Sequence, residues 1–434
     1  MTEEQLRNLR KDIVSNNTIS ADYYSEFDVK RGLRNADGSG VLAGLTYISS
    51  VVGSKKTDQG LLPVEGVLKY RGQSLADVVA QYDETDTHFF EKVCFLLLVG
   101  RWPSEEEEKW FRSYMAQHRN LPEPVLNHVI QGIKSNNIMN KLQLGISALY
   151  AYDETPDSVD PVENLLKGVR IIAKLPMIVA YSYFVGFKSS AKYVKPSIEM
   201  SQAEAFLHVL YEGKAVSSFE RRIVDLSLVL HAEHGGGNNS TFTSYVVSSS
   251  GSDIYSTLAA AVASLKGPLH GAANKKVMEM MADIKGNVSD WADVSEVKQY
   301  LKKLVLKEAG DKSGKLYGLG HAVYTKSDPR AVIIKELVYR IACDVDRERE
   351  YNLYTMIADV APQVFQEVKG SDKVISPNVD FYSGFVYDCL GIPQEIYTPL
   401  FAMARACGWC AHRLEELLSG KRIIRPGYKF VAPK

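Results

Sequence analysis

The 434-residue chain has few cysteines, almost no net charge and no long apolar run. Five cysteines is a sparse, odd number, which favours reduced thiols and a cytoplasmic protein. A formal net charge of −1 excludes the broad positive field that holds nucleic acid or an anionic membrane. The longest unbroken apolar stretch, 93–100, is far shorter than the roughly 18 residues of a membrane span. Because the N-terminus has no apolar core either, we expect a cytoplasmic protein without a signal peptide.

Helical periodicity dominates from about residue 74 onward. Residues 42–72 form the one β-like region, with Val, Ile and Tyr between Gly and Pro breaks. Strands and helices do not alternate, so we expect no parallel sheet. Stretches rich in Gly and Asp at 285–320 and 369–393 bracket a helical block. This pattern predicts an all-α fold with a minor β element, in which two lobes leave a cleft for a ligand.

The most conspicuous motif is Cys407-Gly-Trp-Cys410, a spacing typical of a redox dithiol or half of a zinc site. Both cysteines, however, share an apolar helix face with Leu400, in a helix predicted to begin after an N-cap at Thr398. A thioredoxin-type pair instead follows a strand, and no strand is predicted here. We therefore interpret both cysteines as core residues, and Arg405, Gly408 and His412 fall on a different face of the same helix.

The segment HAEHGGGN contains His231 and His234 at the end of an apolar helix, followed by three glycines. Glycines let the backbone approach a ligand closely. The His-x-x-His spacing also suggests zinc, but zinc needs a third ligand, and no nearby His or Cys supplies one.

His270 lies in the segment GPLHG, between two predicted helices. A histidine at a helix N-terminus feels the positive end of the dipole, which disfavours the imidazolium form. A neutral ring there is able to donate a hydrogen bond to a developing oxyanion. From the local sequence, a turn histidine bonded to the backbone is an equally good interpretation.

Arg330 and Asp380 are charged residues in unusual positions. Arg330 falls in the first turn of a helix capped by Asp328, where a cation is disfavoured unless an anionic ligand binds. Asp380 is predicted in a loop between Val379 and Phe381, and apolar neighbours raise a carboxyl pKa and improve it as a general base. A solvated arginine and a turn-forming aspartate remain the alternatives.

Together these segments resemble the citrate synthase family, and the resemblance covers nearly the whole chain. The matching strings are HAEHGGGN, SGSDIYSTLAAAVASLKGPLHGAAN, GLGHAVYTKSDPRA, NVDFYSG, FAMARACGWCAHRLEE and RIIRP. The resemblance implies a citrate synthase-like, two-domain helical fold. The large helical domain would comprise 1–273 and 386–434, and the small helical domain 274–385.

The resemblance also implies the chemistry. The family condenses acetyl-CoA with oxaloacetate and hydrolyses the thioester to citrate and CoA, with no cofactor or metal. Asp380 matches the base that removes the methyl proton, and His270 matches the neutral imidazole that hydrogen-bonds the enol oxygen. His321 matches the histidine that hydrogen-bonds the ketone of oxaloacetate.

Four further residues match groups that hold the oxaloacetate carboxylates. They are His234, Arg330, Arg405 and Arg425. Arginine suits this role because its planar fork pairs with both oxygens of a carboxylate. Arg425 looks like the arginine that reaches the neighbouring subunit's site, so the resemblance implies a homodimer.

Other functions remain open. The nearest is a 2-methylcitrate synthase using propionyl-CoA, because one methylene in an apolar pocket discriminates by only ~1–3 kcal/mol. A zinc-dependent hydrolase built on His231, Glu233 and His234 is a second alternative. A helical binding scaffold without catalysis is a third, although a scaffold needs no histidines bracketed by glycines.

Overall fold

The computed structural model describes residues 1–58, 60–83, 85–271, 273–370 and 374–431. The chain divides into two compact units, Met1–Leu45 with Ile424–Lys434 and Thr46–Ile423. The first unit contains α1 (Glu3–Asn17) and α2 (Asp22–Glu26), and every residue of both helices keeps some exposed surface.

The second unit is mainly helical, which confirms the predicted fold class. Most of its helices begin at a side-chain cap, such as Ser104 before the helix Glu105–Gln117 and Asp160 before the helix Pro161–Phe187. The helices are α3 (Leu75–Ala80), α4 (Phe89–Val99), α5 (Glu105–Gln117), α6 (Ile138–Leu149), α7 (Pro161–Phe187), α8 (Gln202–Leu210), α9 (Ser218–His231), α10 (Asn239–Ser249), α11 (Ile254–Lys266), α12 (Ala273–Asn287), α13 (Val294–Val305), α14 (Pro329–Asp344), α15 (Glu348–Lys369), α16 (Val379–Cys389) and α17 (Tyr397–Ser419).

The minor β element is a small antiparallel sheet within the predicted region. Strand β1 (Ser49–Thr57) pairs with β2 (Gly60–Tyr70), and a two-residue strand β3 (Gln73–Ser74) adds to β2. The hairpin packs tightly on the segment after His321, because a Cβ on Gly53 would lie 2.2 Å from the carbonyl oxygen of Val323. The sheet is therefore part of the support for that segment.

Helix α17 lies at the centre of the second unit. It packs against α4, α7, α9, α10 and α11. Cys407 and Cys410 are free thiols that are 0% and 1% exposed, so both are core residues as predicted. The helix begins at Tyr397, slightly earlier than predicted, and the Thr398 hydroxyl donates to the carbonyl oxygen of Gly271 instead of capping it.

Two sequence predictions about helices need correction. Residues 369–393, predicted as a break, contain α16, with Asn378 as its N-cap. Within the region of helical periodicity after residue 74, which predicts ordinary α-helices, Val125–Gln131 form a short π-helix instead. By length and composition α7 is able to span a membrane, but 78% of its most apolar window is buried inside the structure, which is typical of a core helix.

The predicted domain boundaries stay a prediction. All of the small domain predicted at 274–385 lies inside the second compact unit, apart from Ser371, Asp372 and Lys373, which fall outside the described residues. Within it, α12 and α14 pack against α16, and α13 packs against α15.

Candidate active site

His270 lies in the turn between α11 and α12. Its backbone N–H donates to the carbonyl oxygen of Gly267 at 3.0 Å, and its Nε2 lies 2.8 Å from Ser240 Oγ at the start of α10. Burial, assisted by the charge of Arg405, lowers the pKa of His270 to about 4. The ring is therefore neutral near pH 7, through burial rather than through the helix terminus that the sequence suggested.

Asp380 lies in the first turn of α16, not in the predicted loop. Asn378 Oδ1 accepts from the Asp380 N–H at 3.0 Å, and Asn378 Nδ2 donates to the Gly320 carbonyl at 2.9 Å. Burial raises the pKa of Asp380 to about 6, although the charges of Arg330 and Arg405 oppose the shift. A carboxylate that is still ionised at neutral pH but is more basic than usual suits a general base.

Asp380 and His270 line the same cavity. Its other walls include His231, Asn274, Tyr387 and Phe401. A proton acceptor and a neutral hydrogen-bond donor thus line one partly open cavity, as proton abstraction beside a carbonyl requires.

His321 is oriented by its own loop. Its Nδ1 accepts from the backbone N–H groups of Val323 at 3.0 Å and Tyr324 at 3.2 Å. A neutral ring that accepts at Nδ1 carries its proton on Nε2, which makes that nitrogen a donor. The ring lies 5.2 Å from His234, centroid to centroid, so these two predicted residues come together.

Arg405 and His234 present buried polar atoms with no partner among the described residues. Arg405 is 1% exposed, and its Nε donates to the His231 carbonyl at 2.6 Å. Both of its terminal nitrogens lack a hydrogen-bond partner, as does His234 Nε2. Burial lowers the pKa of Arg405 to about 10, so the group is still a cation at neutral pH. Unpartnered buried donors of this kind indicate an anionic ligand.

Arg330 is buried, and its own N-cap residue provides the anion that the sequence analysis assigned to a ligand. Its Nε and Nη2 donate to the two carboxylate oxygens of Asp328, at 3.0 and 2.7 Å. Burial disfavours the guanidinium cation, but the Asp328 carboxylate favours it, and the net effect raises the pKa of Arg330. The Asp328 carboxylate also accepts from the Val379 N–H at 3.2 Å, which ties the arginine to the helix of Asp380.

Arg425 is the one predicted site residue outside this group. It is exposed and belongs to the first compact unit. Its assignment to a neighbouring subunit's site stays a prediction.

Glu233 belongs to a network that the sequence analysis did not find. His412 Nε2 donates to Glu233 Oε1 at 2.9 Å, and both side chains are 0% exposed. His412 Nδ1 lies 2.6 Å from the Tyr245 hydroxyl, which donates to Glu415 Oε2 at 2.6 Å. Against burial, the two carboxylates raise the pKa of His412 to about 9. No local pattern links residues 179 positions apart, so only the fold reveals this pair.

The zinc alternative depends on His231, Glu233 and His234. His231 Nε2 lies 3.0 Å from the Tyr387 hydroxyl, and Glu233 is bound by His412. In the part of the chain that the structure describes, no group of three or more His, Cys, Asp or Glu residues is arranged to hold a metal ion.

Comparison with known proteins identifies the family of this chain. Residues 36–427 match the family model for the C-terminal domain of citrate synthase. A citrate synthase of Haloferax volcanii is 34% identical over 414 residues, covering 94% of this chain and 97% of the relative. A citrate/2-methylcitrate synthase of Bacillus subtilis is 34% identical over 380 residues, covering 86% and 95%.

Solved structures show the same fold. A citrate synthase of Pyrobaculum aerophilum superposes with a TM-score of 0.75 at 31% identity, covering 91% of each chain. A citrate synthase of Thermoplasma acidophilum, in a ternary complex with carboxymethyl coenzyme A and oxaloacetate, superposes with a TM-score of 0.75 at 27% identity, covering 93% of this chain and 96% of that one. A half-buried aspartate, a neutral histidine and an arginine whose terminal nitrogens have no partner among the described residues thus occur on a shared fold, and the chain belongs to the citrate synthase family as a transferase of the citrate (Si)-synthase type.

Proposed function

We propose that this enzyme condenses acetyl-CoA with oxaloacetate and hydrolyses the resulting thioester to citrate and free CoA. The observation that carries the proposal is the cavity shared by Asp380 and His270, in which the carboxyl pKa is raised and the imidazole is neutral. The unpartnered terminal nitrogens of Arg405 add a binding group for a substrate carboxylate.

The first step transfers a methyl proton of acetyl-CoA to the Asp380 carboxylate. Because this proton is far less acidic than a carboxylic acid, the step needs stabilisation of the enol oxygen as it forms. His270 provides it: when Ser240 donates to Nε2, the ring proton resides on Nδ1 and is available to the thioester oxygen. The partial burial of this histidine, with the charge of Arg405, keeps it a neutral donor.

The second step forms a bond between the enol carbon and the ketone carbon of oxaloacetate. The ketone oxygen becomes a hydroxyl by taking the Nε2 proton of His321, and the ring regains a proton from the water that attacks the thioester in the last step. Arg405 and His234 hold the carboxylates of oxaloacetate, and Arg330 contributes to them with the part of its fork that its pair with Asp328 does not use. Water then cleaves the thioester, which releases citrate and the CoA thiol.

The assembly and setting of the enzyme are part of the same proposal. We expect a cytoplasmic homodimer in which Arg425 completes the carboxylate site of the partner. The CoA thioester is a substrate, and the mechanism uses no metal or further cofactor.

A second candidate is propionyl-CoA as the acyl substrate, which would make the enzyme a 2-methylcitrate synthase. The relative named citrate/2-methylcitrate synthase supports this alternative, because it shares 34% of its residues with this chain. The same three catalytic residues would serve both reactions.

Release of the CoA thiol tests both candidates. Purified protein with oxaloacetate is given acetyl-CoA or propionyl-CoA, and the thiol is measured with a colorimetric reagent. We expect kcat/KM to be at least about tenfold higher for acetyl-CoA, since one methylene is worth about 1–3 kcal/mol. A reversed preference assigns the second function, and no oxaloacetate-dependent thiol from either substrate would refute the proposal.

A further inference from the structure

His412 and Arg405 lie on either side of one buried carboxylate. Arg405, Gly408 and His412 are three and four residues apart, so they share one face of α17. The Glu233 carboxylate lies directly against Gly408, because a Cβ on Gly408 would lie 2.1 Å from Glu233 Oε2. The Glu233 carboxylate therefore has a cation one helical turn away in each direction.

The carboxylate is bound to one of these cations only. Its Oε1 accepts from His412 Nε2 at 2.9 Å, from Ser49 Oγ at 2.8 Å and from the Gly235 N–H at 2.5 Å. Its Oε2 is buried and has no hydrogen-bond partner among the described residues. The terminal nitrogens of Arg405 also have no hydrogen-bond partner among the described residues. Arg405 and Glu233 therefore do not form an ion pair, although the charge of Arg405 acts on the Glu233 carboxylate.

The outer residues of the network keep His412 cationic. Its Nδ1 is bonded to Tyr245, whose hydroxyl donates to Glu415, so both ring nitrogens have acceptors. Glu415 is fixed in turn by the Tyr47 N–H, which donates to its Oε1 at 2.6 Å. A histidine with acceptors at both nitrogens is stabilised as an imidazolium ion.

We propose that His412 is a positioning residue that holds the Glu233 carboxylate away from Arg405, so that the Arg405 fork remains available to a substrate carboxylate. Without the imidazolium, Glu233 is a buried anion, and Arg405 is a cation whose charge already acts on it. An internal pair with Arg405 then competes with substrate. The inference rests on the proposed function only in naming oxaloacetate as the anion that Arg405 binds.

Two variants test the positioning role of His412: the first removes the His412 cation, and the second also removes the Glu233 anion. We expect His412→Leu to raise the KM for oxaloacetate by at least about tenfold, since a buried pair must now be broken to bind substrate. Because His412 does not touch the reacting atoms, kcat at saturation should change by less than about threefold. Adding Glu233→Gln removes the competitor, and the double variant should return to within about threefold of the KM of Glu233→Gln alone.

The dissociation constant for oxaloacetate is measured by calorimetry without acyl-CoA. Like KM, it should rise in His412→Leu and return in the double variant to about the value of Glu233→Gln alone. Exposed His128→Leu is the matched control and should leave KM unchanged. If His412→Leu does not fold, His412→Gln takes its place, because it keeps a donor for Glu233 but removes the charge. A double variant no better than the His412 single variant, or a single variant with unchanged KM, would overturn the positioning role. A wild-type protein without oxaloacetate-dependent thiol release would instead refute the proposed function.

Discussion

At the scale of single residues, Asp380 shows two opposing effects on one pKa. The first turn of α16 and the charges of Arg330 and Arg405 favour a carboxylate. Burial among apolar groups favours the protonated acid, and burial is the larger effect, because the pKa rises to about 6. The position therefore gives a base that is stronger than an exposed aspartate but still ionised at pH 7.

The pH dependence of the reaction should report this residue. The base must be ionised, so kcat/KM for acetyl-CoA should fall as pH decreases through about 6. Asp380→Asn should lower kcat by about 10²–10⁴, the usual contribution of general-base catalysis. A matched control is Asp388→Asn, on the same helix and paired with Arg347 at the far end. A wild-type profile that is flat down to pH 5 would contradict the assignment.

The same shift has a consequence for stability. A folded-state carboxyl pKa above the ordinary value means that the folded protein loses stability as pH rises from about 4 to about 6, and does not regain it above. Asp380→Asn should therefore unfold at a higher temperature than wild type at pH 8 and at the same temperature near pH 3.5. Differential scanning calorimetry at the two pH values measures this. Equal midpoints at pH 8 would show that burial of the charge is not costly.

At the scale of elements, the hairpin of β1 and β2 supports the segment that follows His321. Thr325 Oγ1 donates to the Gly53 carbonyl at 2.6 Å, and the Gly66 N–H donates to Ser327 Oγ at 3.1 Å. The closeness of the two backbones requires glycine in the strand, since a Cβ on Gly53 would lie 2.6 Å from Tyr324 Cα. The orientation of His321 thus depends on residues far away in the chain.

Gly53→Ala tests this support. The added methyl group meets backbone atoms that have no alternative rotamer, so the segment of His321 must move. A displacement of about 1 Å in a catalytic group costs up to about 10² in rate, so we expect kcat to fall at least about tenfold while unfolding remains cooperative. Gly286→Ala is the control, because nothing lies within 4 Å of its added Cβ. An unchanged kcat in Gly53→Ala would show that the hairpin does not position His321 for the reaction.

The helices also show how much of the fold and the site is predictable from the sequence alone. Apolar spacing predicts α17 and places both of its cysteines in the core, because a long periodic helix has a strong local signal. It misses α16, where aromatic residues and a glycine weaken the periodicity, although Asn378 is a recognisable N-cap. It also misses the pairing of Glu233 with His412, since buried ion pairs between distant segments arise only from tertiary packing.

At the scale of the whole molecule, the predicted homodimer makes Arg425 testable by mixing two inactive variants. Arg425→Ala lacks the arginine, and Asp380→Asn lacks the base. If Arg425 serves the partner's site, each mixed dimer contains one intact site. Random exchange of subunits should then restore about a quarter of wild-type activity. Thiol release is measured after co-refolding the variants in equal amounts. No recovery would show that Arg425 acts within its own subunit or not at all.

The central position of α17 has one more consequence, for the way in which this enzyme loses function. Arg405 is borne by α17, which packs against α4, α6, α7, α9, α10, α11 and α12, so a small local opening does not expose it. His321, in contrast, lies on an irregular segment held by the hairpin of β1 and β2. In the proposed mechanism, recognition of the dicarboxylate is thereby coupled to global unfolding, whereas the alignment of the ketone donor is coupled to local fluctuation. On gradual heating, we expect the enzyme to become slow before it becomes unable to bind.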